Sequence, residues 1–283
     1  MVSIQNFSLL KKLGEGGFGK VFLMQDKRDN KKVCVKEVDL SKVDAKGKEE
    51  ALKEVSFLAQ MSHPNIIAYK EYFESLSPPT RFKSRTPMLY IVMAYADGGD
   101  LEAKIKQNQR THKLFPEARI VKWLVQICLA LKHIHDRKIL HRDIKSQNIF
   151  LMANDIVKLG DFGIAKNLAH TFAKAKTQIG TPYYLSPEIC KEKLYDHKSD
   201  MWALGVVLYE MMCLKHPFSA GNMQSLLQKI VTGVPTAPPR SYSAELRDIL
   251  NSLLQKDPRH RPSVNELLRL PFIRQHIGDF LTS

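Results

Sequence analysis

The chain has 283 residues, 44% of them hydrophobic, and carries 43 basic against 29 acidic side chains, a net charge of +14. That size and apolar content suffice for a sizeable core and fit one large domain or two small lobes better than a peptide-like module. Four scattered cysteines, Cys34, Cys128, Cys190 and Cys213, form no C-x-x-C pair and argue against a disulfide framework or a zinc site, so a reducing cytosolic or nuclear setting is expected. The basic residues are spread over many segments with few aromatics between them, which reads as a solvated exterior and leads us to expect no nucleic-acid partner. The N-terminus lacks the pattern of a secretory signal. The longest apolar stretch, residues 201–214, is too short to span a bilayer and contains Glu210, so no membrane insertion is expected.

In chain order, residues 7–40 read as short strands broken by turns: "FSLLKKL", a glycine cluster, "KVFLMQD", the turn "KRDNKK" and "VCVKEVDL". Residues 49–61 place Ala51, Val55 and Leu58 at helical spacing, and Pro64 stops the helix. "IIAYKEYF" and "LYIVMAY" resume strand character on either side of residues 75–87, a proline-bearing basic loop expected to be mobile. From about Asp97 the pattern changes to long helices, notably 116–136 and 197–213. A small sheet followed by a larger helical part is an α+β plan, with its hinge near "AYADGGD", residues 94–100.

Chemistry enters with "GEGGFGKV", residues 14–21, which fits G-x-G-x-x-G at Gly14, Gly16 and Gly19. A dinucleotide fold would need a helix directly afterwards, and a Walker loop would need Ser or Thr after Lys20; here Val21 opens another strand. Strand, glycine turn, strand makes a flap whose backbone N–H groups can approach phosphates. The strand "VCVK" then buries Lys36, whose ammonium requires a carboxylate. Glu54 faces inward on the helix that follows, with Glu50 one turn earlier as the alternative.

"HRDIKSQN", residues 141–148, gathers Asp143, Lys145 and Asn148 on one short loop, and "GDFG", residues 160–163, adds Asp161 on a glycine-flexed turn. Asn148 and Asp161 are oxygen ligands suited to Mg²⁺, which takes few protein ligands and completes its shell with nucleotide phosphates. Asp143 is then available to orient an attacking hydroxyl and accept its proton, while Lys145 neutralises charge on the moving phosphoryl group.

Glycine loop, Lys36, Glu54, "HRD", "DFG" and "SPE" occur in the order of the eukaryotic protein kinases, and the chain resembles that superfamily over nearly its whole length. "ILHRDIKSQNIFL", "KLGDFGIAK", "GTPYYLSPEIC" and "LKHPFSAGNM" further resemble the NIMA-related serine/threonine kinases. The resemblance implies a single bilobal kinase domain over 1–283, with an N-lobe over 1–93 and the hinge and C-lobe over 94–283. ATP and Mg²⁺ would be its cofactors. The backbone of Tyr95 and Ala96 would bind the adenine edge, with Met93 as gatekeeper and Val21, Cys34 and Phe150 around the ring. Leu58, Tyr69, His141 and Phe162 would stack as the spine of the active state. Glu188 would pair with Arg261, and Asp200 would brace the catalytic loop. Lys145 together with Thr181 matches the serine/threonine class, so the partners implied are protein substrates with Ser or Thr acceptors.

Thr177 matches the family's activating phosphosite; a phosphate there would find Arg142 and Lys166, placed by an upstream kinase or by trans-autophosphorylation. Thr171 is a lesser candidate. The resemblance implies a cytoplasmic protein, with cytoskeleton, basal body, cilium or flagellum, and nucleus as alternatives, and it leaves the oligomeric state open. Two departures stand out: Ala94 replaces a usual acidic residue, and Cys34 replaces a usual alanine above the adenine. A pseudokinase scaffold is the rival reading, weakened because Lys36, Asp143, Asn148 and Asp161 are all present.

Overall fold

The computed structural model describes residues 2–16, 19–41, 43–76, 86–160 and 182–282, without the side chains at 50, 51, 54, 57, 58 and 279–282. The basic 75–87 loop therefore falls outside the described residues except at its two ends. The chain divides into two compact units.

The first unit, described over residues 2–63 and 67–96, contains a five-stranded antiparallel sheet of order β1-β2-β3-β5-β4. The strands are β1 (Phe7–Gly16), β2 (Gly19–Asp26), β3 (Lys32–Asp39), β4 (Tyr69–Leu76) and β5 (Pro87–Ala94). Because side chains alternate across a strand, the register sorts them onto two faces. One face carries Phe7, Met24, Val33, Val35, Tyr90 and Val92 as an apolar cluster, covered by Val2 and Ile4. Phe7, Phe73 and Tyr90 stack there at centroid distances of 6.0 and 5.3 Å. The opposite face receives Val21, Cys34, Lys36 and Met93.

Helix α1 (Ala45–Ala59) packs near β4 and starts four residues before the expected Glu49. The reason is Asp44, whose carboxylate accepts the Gly47 N–H at 2.8 Å and caps the helix ahead of a first turn with no apolar periodicity.

The second unit, described over residues 64–66, 97–160 and 182–282, is mainly helical. Its helices are α2 (Leu101–Arg110), α3 (Glu117–His135), α4 (Pro187–Cys190), α5 (His197–Cys213), α6 (Met223–Thr232), α7 (Ala244–Leu253), α8 (Val264–Arg269) and α9 (Pro271–Thr282). Helix α5 begins where the sequence predicts because Asp196 and Ser199 form a reciprocal cap, and it ends at Leu214 in the left-handed region. Both α3 and α5 are apolar on nearly every side; they pack on each other and form the core against which α7, α8 and α9 pack. Among the described residues no helix is long and apolar enough to cross a membrane.

A two-stranded hairpin, β6 (Ile149–Leu151) and β7 (Val157–Leu159), follows the "HRDIKSQN" loop. Gln126, the polar residue in the apolar run of α3, accepts the Val157 N–H at 2.8 Å and the Asn65 amide at 2.9 Å, which fixes the hairpin to the core. Residues 97–100 lie along the other side of β6. Gly98 donates to Leu151 O at 2.9 Å, and a Cβ at position 98 would come within 2.6 Å of that oxygen, so only glycine allows this approach.

Candidate active site

In the first unit, β1 and β2 form the expected flap, with Gly14 opposite Val21 and Gly16 opposite Gly19. Gly19 has φ of +132°, and a Cβ there would collide with Glu37 O at 1.8 Å. This glycine is required by the approach of β3 as well as by its backbone angle. Register then brings the predicted residues together: Val21 opposes Lys36, Lys36 opposes Ile91, Cys34 opposes Met93, and Met93 opposes Tyr69. Lys36 is buried among them. The side chains of Glu54, Glu50 and Leu58 lie outside those described, and the Lys36–Glu54 pairing belongs to the proposal below. Burial pushes the Cys34 thiol up to about 11, so this cysteine is a packed, protonated group rather than a reactive thiolate. The strand ends at Ala94, whose N–H is taken by Ala68 O at 2.8 Å; Tyr95 and Ala96 follow outside the sheet.

In the second unit the loop after α3 is held from beneath by Asp200 on α5. Its fully buried carboxylate accepts the N–H groups of His141 at 3.0 Å and Arg142 at 3.1 Å, and also meets His135 Nε2 at 2.9 Å and the Tyr195 hydroxyl at 2.5 Å. Burial alone would raise this carboxyl. The hydrogen bond and charge of His135, with contributions from His141 and Tyr195, outweigh it and hold Asp200 below the ordinary range. Anchored there, Arg142 adopts φ of +64° and turns the chain so that Asp143 follows.

The His141 ring acts within the loop. The Asp143 N–H donates to His141 Nδ1 at 3.3 Å, so Nδ1 carries no proton, and Nε2–H donates to Gly160 O at 3.1 Å. The His141 ring thus ties Asp143 to the strand end that precedes Asp161. Asp143 itself accepts Lys145 Nζ at 2.8 Å and Asn148 Nδ2 at 2.9 Å on Oδ2, and Asn148 Nδ2 also reaches the Asp143 carbonyl at 2.8 Å. With the N–H donors of its amide directed at Asp143, Asn148 keeps Oδ1 as the atom to offer a cation. That donor set fits a magnesium ion completed by phosphate oxygens. Phe150 lies on β6, paired to Asp100 across an isolated bridge. Asp161, Phe162, Lys166, Thr171, Thr177 and Thr181 lie outside the described residues.

Besides Asp200 under the catalytic loop, the other pairing that the sequence resemblance implies is also present. Arg261 grips Glu188 bidentately at 2.8 and 2.5 Å, with Ser199 donating to the same carboxylate at 2.8 Å. Burial would raise Glu188, but Arg261 and Ser199 more than offset it and the carboxyl lies below its ordinary value. The arginine spends its remaining donors on the carbonyls of Gln255, Lys198 and Lys256 and lies over Trp202 at 5.1 Å.

The protein kinase domain family model matches residues 7–273. The chain belongs to the protein kinase family. Within it, the relatives are NIMA-related kinases, and the chain is of that group. Mouse (Mus musculus) serine/threonine-protein kinase Nek1 is 51% identical over 281 residues, covering 99% of this chain and 22% of its own length. Human (Homo sapiens) serine/threonine-protein kinase Nek5 is 47% identical over 282 residues, 99% of this chain and 38% of its own. The probable serine/threonine-protein kinase nek3 of Dictyostelium discoideum is 44% identical over 279 residues, 97% of this chain and 24% of its own. The chain thus spans less than half the length of these relatives.

Several residues around the catalytic loop were given no role by the sequence. Gln126 holds the hairpin, and its signal was a lone amide inside an apolar helix. His135 joins Asp200 from α3. Glu102 on α2 accepts Gln147 Nε2 at 2.7 Å, and Tyr184 meets Ser146. Their partners are remote in sequence, and no spacing rule reveals them.

Proposed function

We propose that this chain transfers the γ-phosphoryl group of ATP to serine and threonine hydroxyls of protein substrates. The observation that carries the reading is the triad on the catalytic loop, in which Asn148 and Lys145 both bind Asp143 Oδ2 while Asp200 holds the loop backbone. A carboxylate offers about four lone-pair directions. So oriented, Asp143 accepts the acceptor hydroxyl's proton as its oxygen bonds to the γ-phosphorus and the bond to the β–γ bridging oxygen breaks, leaving ADP. Lys145 offsets charge on the moving group. Asn148 and Asp161 hold magnesium, which when bound neutralises phosphate charge. Lys36, paired with Glu54, takes the inner phosphates beneath the Gly14–Gly16–Gly19 flap. Tyr95 and Ala96 bind the adenine edge through their backbone, Met93 stands behind it, and Val21, Cys34 and Phe150 enclose the ring. The neutral thiol of Cys34 and the backbone nature of the Tyr95–Ala96 contact support nucleotide binding despite the two sequence departures.

The switch belongs to the same reading. Phosphorylation at Thr177, received by Arg142, orders the segment before Thr181 and raises activity. The likeness to NIMA-related kinases supports a role in cell-cycle, ciliary or flagellar, or microtubule-related signalling in the cytoplasm or on the cytoskeleton.

The test is incubation of wild type and Asp143→Asn with Mg·ATP and casein, followed by mass-spectrometric mapping of modified residues. Phosphoserine and phosphothreonine are expected from wild type, with the variant slower by about 100-fold or more. Equal incorporation by both proteins would remove the reading. Thr177→Ala is expected to lower the rate, and an unchanged rate would remove the switch alone.

A further inference from the structure

One buried group of the second unit has no part in the chemistry above. Glu210 lies in the last turn of α5, buried to 4% exposure. An anion there faces the negative end of the helix dipole and has lost most of its water, so both its position and its burial are unfavourable. Its partners identify what the placement achieves. The Tyr184 hydroxyl lies 2.8 Å from Glu210 Oε2, and His216 Nδ1 lies 3.0 Å from Oε1, at ion-pair distance but out of line for a hydrogen bond. His216 is itself fixed, stacked face to face on Tyr183 at 4.1 Å and edge-on to Tyr184 at 5.9 Å.

The direction of the protons follows from chemistry. A carboxylate only accepts, so Tyr184 donates to Glu210. Its oxygen then accepts the Ser146 hydroxyl at 2.9 Å and, more weakly, the Ser146 N–H at 3.4 Å. Ser146 is fully buried and sits between Lys145 and Asn148, the two residues that hold Asp143. Burial, followed by the charge of Glu210, raises Tyr184 far above an ordinary phenol, so it remains a donor at every working pH. A chain of hydrogen bonds ending on a charge is stronger than its separate links, and each link polarises the next.

We infer that Tyr184 is a positioning residue for phosphotransfer: held by Glu210, its hydroxyl clamps the catalytic loop at Ser146 and so fixes the orientation of Asp143. The inference rests on the phosphotransfer reading, and it adds a second anchor to the one supplied by Asp200. Asp200 holds the loop at His141 and Arg142, before Asp143, and Tyr184 holds it at Ser146, after Asp143. A loop pinned on both sides of its base has little freedom to misplace it, and small displacements of a catalytic group are costly in rate.

The experiment combines kinetics with hydrogen exchange on Tyr184→Phe, Ser146→Ala, the double variant and Glu210→Gln. Tyr184→Phe is expected to lower kcat about tenfold with the KM for ATP unchanged. Ser146→Ala should lose a similar factor, and the double variant should lose no more than the larger single loss, because both remove one link of the same chain. Glu210→Gln keeps an acceptor for the Tyr184 hydroxyl and should lose less than Tyr184→Phe. Independent of turnover, exchange of the backbone amides in 141–148 should quicken in Tyr184→Phe while the core amides of α3 and α5 stay protected. Unchanged exchange in that loop, multiplicative losses in the double variant, or a wild-type kcat in Tyr184→Phe would each overturn the clamp. If the wild type itself transfers no phosphate, the phosphotransfer reading fails, and the exchange result still decides whether the clamp exists.

Discussion

Replacing Asp200 by asparagine keeps the shape of the side chain and removes its charge. Four donors converge on this carboxylate: two backbone N–H groups of the catalytic loop, His135 Nε2 and the Tyr195 hydroxyl. An amide has only one oxygen. Whichever way it turns, its NH₂ faces either His141 N–H or Arg142 N–H, and one loop donor is left without its acceptor. An unsatisfied buried donor costs about 1–3 kcal/mol, and the bonds that remain lose their charge assistance. Together these come to roughly 3–5 kcal/mol, a large part of the total of about 5–15 kcal/mol that holds a typical domain folded. At about 2–4 °C per kcal/mol, the midpoint of thermal unfolding should fall by about 10 °C. The loop should also be misplaced, with kcat reduced by up to about 100-fold. Thermal unfolding and steady-state kinetics on the purified variant measure both effects. An asparagine variant melting within about 1 °C of wild type with full kcat would refute the claim that Asp200 organises the loop.

Other perturbations give separate checks. Gly19→Ala places a Cβ against Glu37 O, so it should distort the flap and raise the KM for ATP several-fold, read by initial rates at varied ATP. Arg261→Met leaves Glu188 buried without its main partner and should cost about 3–5 kcal/mol in denaturant unfolding, a loss that Arg261→Lys repairs only in part. Both Glu188 and Asp200 titrate below their ordinary values in the folded chain. In acid the unfolded chain therefore binds more protons than the folded one, so their stabilisation is intact at neutral pH and is lost as pH falls below about 4 through the folded values. Unfolding free energy measured from pH 7 to 3 should drop less steeply in Glu188→Gln than in wild type. Cys34, with its thiol raised to about 11, should react with iodoacetamide at pH 7.5 far more slowly than a free cysteine, as peptide mapping would show.

What could be read in advance followed the distance over which the information travels. The catalytic loop was legible because Asp143, Lys145 and Asn148 lie within the eight residues of "HRDIKSQN", and in the structure Lys145 and Asn148 both donate to Asp143. Helix α5 was legible at both ends because its apolar run is bounded by its own cap at Asp196. Helix α1 was misread at its start, since Asp44 precedes a lysine- and glycine-bearing turn with no hydrophobic rhythm. Gly98 read only as part of the stretch near the hinge, and the role of its missing side chain in the approach of β6 had no signal in the sequence. The link from Ser146 through Tyr184 to Glu210 joins three remote segments by single polar atoms, and neither periodicity nor composition records such an arrangement.

The proposal that Lys36, Asn148 and Asp161 act on one nucleotide and its magnesium can be put to a binding measurement. Titration calorimetry of folded wild type with ATP, with and without Mg²⁺, tests it most directly, alongside Asn148→Ala and Lys36→Met. Uptake of one ATP that tightens with Mg²⁺ is expected, with a gain that shrinks in Asn148→Ala and weakened binding in Lys36→Met. Folded wild type that takes up no ATP in the presence of Mg²⁺ would contradict it.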